Sequence, residues 1–173
     1  MKTFSKTIAA AAVAATMLIG VGACSPAQES APAPSAPQPA EDRTAPKAAE
    51  TIKAFFASAT TEKIATADPA TAGPELFDDA LKLVDTDAEA EPLTAALSDL
   101  AVLKVGHPAS ELTVEVNEAE VVLDGDKASV PASHISVKAA GEKVANSDEL
   151  AEKINDLVFR DGAWVMSFPS ASK

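Results

Sequence analysis

Half of this chain's prolines crowd into one short stretch, and that sets the limits of what the chain can fold. Six of the twelve (Pro26, Pro32, Pro34, Pro37, Pro39 and Pro46) lie between residues 25 and 46, among Ala and Ser and without one large apolar side chain. Such a segment cannot bury enough surface to offset the entropy of ordering it. Proline biases it toward an extended polyproline conformation, which at about 3.1 Å per residue reaches up to roughly 60–70 Å. Residues 24–46 therefore read as a spacer; a Pro-rich ligand for a partner domain is the alternative. The fold has to come from residues 47–173, a length suited to one domain.

Residues 1–23 have the three parts of an export signal. Lys2 and Lys6 precede an apolar run from Ile8 to Val21, interrupted only by Thr16 and Gly20, and small residues follow. The run is short and rich in Ala for a membrane span, which needs about 20 apolar residues. It ends in Val21-Gly22-Ala23-Cys24, and Cys24 is the single cysteine of the chain. This tetrapeptide resembles the lipobox of bacterial lipoproteins, where the cysteine thiol receives a diacylglycerol and the signal is cut just before it. The resemblance implies cleavage between Ala23 and Cys24 and a diacylglycerol anchor on Cys24. It places the protein on the outer face of the bacterial cell membrane. A buried CH₂ contributes about 0.8 kcal/mol, so two acyl chains hold where one binds only marginally.

Charge and cysteine content exclude several classes. A formal net charge of −12 opposes nucleic-acid binding, which needs a basic face, and opposes electrostatic docking on anionic lipid. One cysteine permits no internal disulfide and no cysteine metal cluster. With one Trp, no Tyr and 4% aromatics overall, a core must rest on Ala, Val, Leu and Ile.

The first half of the domain reads helical. Ala49, Ile52, Phe55, Phe56 and Ala59 recur at steps of three and four, with Pro46 suited to a first turn and Thr60-Thr61 at the end. Gly73-Pro74 opens a short second helix with Leu76, Phe77, Ala80, Leu81 and Val84 inward and acids at its start. A third begins between Asp87 and Pro92, carries Leu93, Ala96, Leu97 and Leu100, and stops at Gly106-His107-Pro108.

The second half reads as strands. Leu112, Val114 and Val116 alternate with polar residues in a run that continues to Leu123. Asp124-Gly125 marks a hairpin, and the apolar face switches near Pro131 before Ile135 and Val137. Residues 146–155 fit either a helix capped by Ser147 or the start of a strand; the reading adopted is a strand from about 152 to 160, turned at Asp161-Gly162 and paired with 163–169. The expected fold class is α+β, with N-terminal helices packed on an antiparallel sheet of about four strands.

This order resembles the low-molecular-weight secreted antigens of mycobacteria and related actinobacteria. The resemblance is carried by the helix ending near Phe55-Phe56, by Asp68-Pro69, by the strand Leu112–Val116, and by the closing Val158-Phe-Arg-Asp-Gly-Ala-Trp-Val-Met-Ser167. It covers roughly residues 47–168. It implies a cystatin-like or nuclear-transport-factor-2-like cone in an envelope or secreted protein, and it supplies no catalytic residues.

Chemistry is sparse. A lipidated Cys24 is a thioether without nucleophilicity. His107 and His134 are the remaining imidazoles, placed in a loop and on a strand without metal-ligand spacing. Asp85-Thr-Asp87-Ala-Glu89-Ala-Glu91 resembles the opening of a calcium loop, but Ala90 stands where glycine is required and Ala96 where a bidentate Glu is required. No metal and no cofactor are expected. Phe55, Phe56, Phe77, Phe159, Trp164 and Phe168 either fill the core or line an apolar pocket in the cone. The expected function is a lipid-anchored, non-catalytic envelope module that binds a protein partner or small apolar ligand. The alternatives are an enzyme using a carboxylate in the cone and a structural or antigenic surface protein.

Overall fold

The computed structural model describes residues 42–68 and 73–169. Helix α1 (Ala45–Ala59) carries Pro46 in its first turn and buries Ala48, Ala49, Ile52, Phe55, Phe56 and Ala59, the face that the three- and four-residue spacing predicts. Each large side chain on that face contributes about 1.5–3 kcal/mol by leaving water. The helix ends where the Thr60 hydroxyl donates to the Phe56 carbonyl at 2.8 Å. Helix α2 (Glu62–Thr66) follows with Ile64 buried. The second predicted helix is a tight 3₁₀ turn, Pro74–Phe77, running into the single turn α3 (Asp78–Leu81).

Helix α4 (Ala90–Gly106) buries Ala96 and Leu100, as its stripe predicts, and also Lys104. That lysine, 5% exposed, donates to the carbonyls of Pro108 at 3.3 Å and Ser110 at 3.1 Å. A cation at a helix C-terminus also complements the helix dipole. The stop at Gly106-His107-Pro108 is thus fastened from inside the helix.

The antiparallel strands, expected as one sheet of about four, are seven in two sheets among the described residues. They are β1 (Leu112–Val116), β2 (Val122–Asp124), β3 (Lys127–Ser129), β4 (Ile135–Ala139), β5 (Glu142–Lys143), β6 (Asp156–Arg160) and β7 (Ala163–Met166). One sheet has the order β1-β4-β5 and the other β2-β3-β6-β7. Two local breaks divide what reads as continuous strand. Asn117 accepts the Ala119 N–H on its side-chain oxygen and opens a 3₁₀ turn over Glu118–Glu120, so the run to Leu123 becomes β1 and β2. A second 3₁₀ turn after Pro131, Ala132–His134, carries the chain back from β3 to β4. The face switch at Pro131 is therefore a change of sheet.

The segment before β6 also differs from the strand reading. Residues 148–153 form helix α5 (Asp148–Lys153), and the strand begins at Asp156 rather than near 152. Leu150 and Ala151 bury one face of α5, and Asp148 and Glu149 sit in its first turn, where acids offset the dipole. Ser147 is buried but makes no capping bond. The closing hairpin matches its signal: Asp161 and Gly162 have φ of +50° and +91°, the two left-handed positions of a type I′ turn between Arg160 and Ala163.

Helix α1 lies against β1 of one sheet and β7 of the other. Side chains across the four-stranded sheet fall in rows. Leu123, Ala128, Leu157 and Met166 share one row facing the helices, and Phe159 and Trp164 the next. Beyond β7, the segment before α4 runs as a strap. Met166 donates to Leu83 at 2.7 Å, Asp85 donates to Met166 at 2.9 Å and Glu89 donates to Phe168 at 2.9 Å.

Candidate functional site

Strand alternation gives the four-stranded sheet a second set of rows on its outer face. Val122, Ser129, Asp156 and Ser167 line up in one; Asp124, Lys127, Val158 and Val165 in the next; Arg160 and Ala163 follow. This face is concave and holds a cavity of about 450 Å³. Val158 is its floor and only 7% exposed. Lys127 and Arg160 supply cations; Asp85, Asp124 and Asp156 supply carboxylates. The volume falls within the range of small-ligand sites.

Two electrostatic features organise it. Arg160 reaches from β6 to the strap, with Nε 3.5 Å from Asp85 and an Nη 3.5 Å from Asp87. Asp85 is nearly buried, its side chain 8% exposed, so its charge is held where water reaches it little. Across the sheet, burial pushes the Asp156 carboxyl above its ordinary value, and the Lys127 charge pulls it partly back. The face can therefore present positive and negative groups around an apolar floor.

At one end, residues that lead into the domain are fastened to the sheet. The Arg43 guanidinium lies 4.5 Å above the Phe159 ring and pairs with Asp126 at 2.6 Å. Arg43 is thereby fastened to the sheet just ahead of α1.

The residues singled out in the sequence are distributed otherwise. Ala23 and Cys24 lie outside the described residues. Phe55, Phe56, Phe159, Trp164 and Phe168 belong to the buried core, and Phe77 packs half-buried against it. Phe55 meets Phe168 at 5.7 Å, and Phe159 meets Trp164 edge-on at 5.2 Å. The aromatics thus take the core alternative, and the 450 Å³ concavity is on the opposite face of the sheet. Trp164 also borders a hollow of about 360 Å³ beside α1.

His107 caps α4, its N–H bonded to Leu103 and Lys104. His134 ends the turn before β4, with Nε2 3.9 Å from Glu120. The acidic run divides. Asp85 and Asp87 serve Arg160, while Glu89 and Glu91 begin α4. Among the described residues no group of three His, Cys, Asp or Glu is placed to hold a metal ion. Among them, too, no helix is long and apolar enough to cross a membrane.

Sequence reading missed the outer face. Asp156, Val158 and Arg160 alternate with Leu157 and Phe159, but the strand reading weighed only the apolar members. The period-two pattern of β6 was the available signal; the partner Asp85 lies 75 positions upstream and carried none. The chain matches no protein-family model, no curated protein and no solved structure.

Proposed function

We propose that this chain is a lipid-anchored protein of the bacterial cell envelope, non-catalytic, whose folded domain is a binding module displayed on a Pro-rich tether. The observation that carries the reading is the position of its one cysteine. Cys24 follows Val21-Gly22-Ala23 at the end of the apolar run and precedes the Pro-rich stretch. Only a thiol can form the thioether, and small neighbours leave the bond before it accessible. Loss of Lys2 and Lys6 with the signal would take the net charge from −12 to −14. The acyl chains would have to overcome the resulting repulsion from anionic lipid. Kinship with the small secreted antigens is part of the same proposal. The outer face of the four-stranded sheet is where we place ligand or partner.

The test is metabolic labelling of the producing cell with a tagged fatty acid, comparing the natural chain with Cys24→Ala. The natural chain should carry label and sediment with membranes; the variant should carry none and appear in the soluble fraction. An unlabelled natural chain, or a variant bound as firmly, overturns the anchor.

One observation favours a second reading, an enzyme working through a carboxyl group. The Asp156 carboxyl is held above its usual range in the concave face, and raised carboxyls are suited to proton transfer. On this reading any turnover by the chain is lost in Asp156→Asn and kept in Asp124→Asn.

A further inference from the structure

The two edges of the four-stranded sheet are treated differently. The β7 edge is occupied by the strap through the three backbone hydrogen bonds given above. Strand β2 forms the other edge, and there Val122 is 57% and Leu123 42% exposed. Folded proteins usually blunt an open edge with shortness, charge, proline or a bulge; β2 is three residues long and ends in Asp124, yet it keeps two large branched side chains exposed.

The register says which backbone groups face outward. Phe159 donates to Asp126 at 2.7 Å and Val130 donates to Asn155 at 3.0 Å, so Ala128, midway between Asp126 and Val130, directs its backbone groups at β6. Lys127 and Ser129 then direct theirs at β2, onto Asp124 and Val122. Hydrogen-bonded and non-bonded pairs alternate in an antiparallel ladder. Leu123, opposite Ala128, is therefore a non-bonded position whose N–H and C=O both point away from the sheet.

Charge selects the occupant. From residue 117 to 126 the sequence has four acids (Glu118, Glu120, Asp124, Asp126) and no base; Lys53 pairs with Glu118 and Arg43 with Asp126, which leaves Glu120, 3.9 Å from His134, and Asp124 as the acids beside Val122 and Leu123. A second copy paired antiparallel about Leu123 would set the two copies' Asp124 diagonally across from each other, two like charges in a chain of net charge −12. An extended segment with apolar residues beside Val122 and Leu123, and a Lys or Arg on each side of them, matches both the apolar centre and the acidic flanks.

We infer that β2 is an addition edge: a basic, extended peptide segment of a partner protein pairs antiparallel with it, exchanging two backbone hydrogen bonds with Leu123. This mode draws affinity from main-chain bonds and selectivity from side chains on alternate faces. The inference rests on the domain being a binding module and is independent of the lipid anchor. Failure of fatty-acid labelling would leave it standing.

The test titrates acetyl-Lys-Val-Val-Thr-Lys-amide into the isotope-labelled full chain and follows backbone amide shifts by NMR. Shifts should centre on Val121, Val122, Leu123 and Asp124 and should weaken as salt is added. N-methylation of the peptide residue opposite Leu123 removes one main-chain bond and should cost about tenfold in affinity. The peptide with Glu in place of both Lys should not bind. Leu123→Pro removes the outward N–H without touching the β2–β3 ladder and should weaken binding similarly. Shifts centred instead on Val158 and Arg160, equal binding by the N-methylated or Glu peptide, or self-association of the chain through β2 would each overturn the inference.

Discussion

The inner and outer faces of the four-stranded sheet share one backbone and differ in almost every other respect. Inward, Leu157, Met166, Phe159 and Trp164 are at most 5% exposed and meet the helices. Outward, the neighbouring positions of the same strands are Asp156, Val158, Arg160 and Ser167, around a cavity that no helix among the described residues lines. Successive strand residues point to opposite faces, so one segment can serve stability and recognition at once, provided that cover is supplied to one side only. The helices belong to the stable side, and the chemistry available for binding is on the other.

Five substitutions would break or sharpen that comparison. The largest effect belongs to Phe55→Ala, which empties a fully buried site against Phe168 and should cost about 3–5 kcal/mol in denaturant unfolding. Next come neighbours on opposite faces. Leu157→Ala, at 1% exposure, should cost about 2–5 kcal/mol, and Val158→Ala about 1 kcal/mol. Equal losses would mean that the outer face is packed like the inner one. Arg160→Ala should cost about 1 kcal/mol or less, because its side chain is half exposed although Asp85 is not. Adding salt to the unmutated chain should shrink that difference.

The smallest effect should have the opposite sign. Burial raises the Asp156 pKa in the folded state above its unfolded value. The contribution of its carboxyl to stability is then full below about pH 4 and lost as pH rises through the folded pKa. Asp156→Asn, which cannot ionise, should therefore leave stability unchanged at pH 3 and raise Tm slightly at pH 7. A lower Tm at pH 7 would show that the ionised carboxylate is needed by the outer face.

Much of the inner face was legible in the sequence. The α1 stripe, the alternation of β1 and the Asp161-Gly162 turn are local patterns, and each forms where it was read. The division into two sheets was not legible, because Asn117 and Pro131 are single residues in otherwise strand-like runs. Helix α5 was one of two readings of residues 146–155, settled by the burial of Leu150 and Ala151. Lys104 is a charged residue outside the apolar stripe of α4, and it is buried because two carbonyls of the following loop fold back onto it. The site was least legible, since Arg160 and Asp85 meet only after the strap lies along β7.

The sequence by itself determined the elements with strong local patterns, α1, α4, β1 and the β6–β7 hairpin, and which side of each is apolar. Those properties depend on neighbours within a few residues, where spacing and backbone preference act directly. Tertiary structure decided which sheet each strand joins, which face stays open, and which charges meet there. These depend on contacts between distant segments, whose free energies are realised only once the core beneath them has closed.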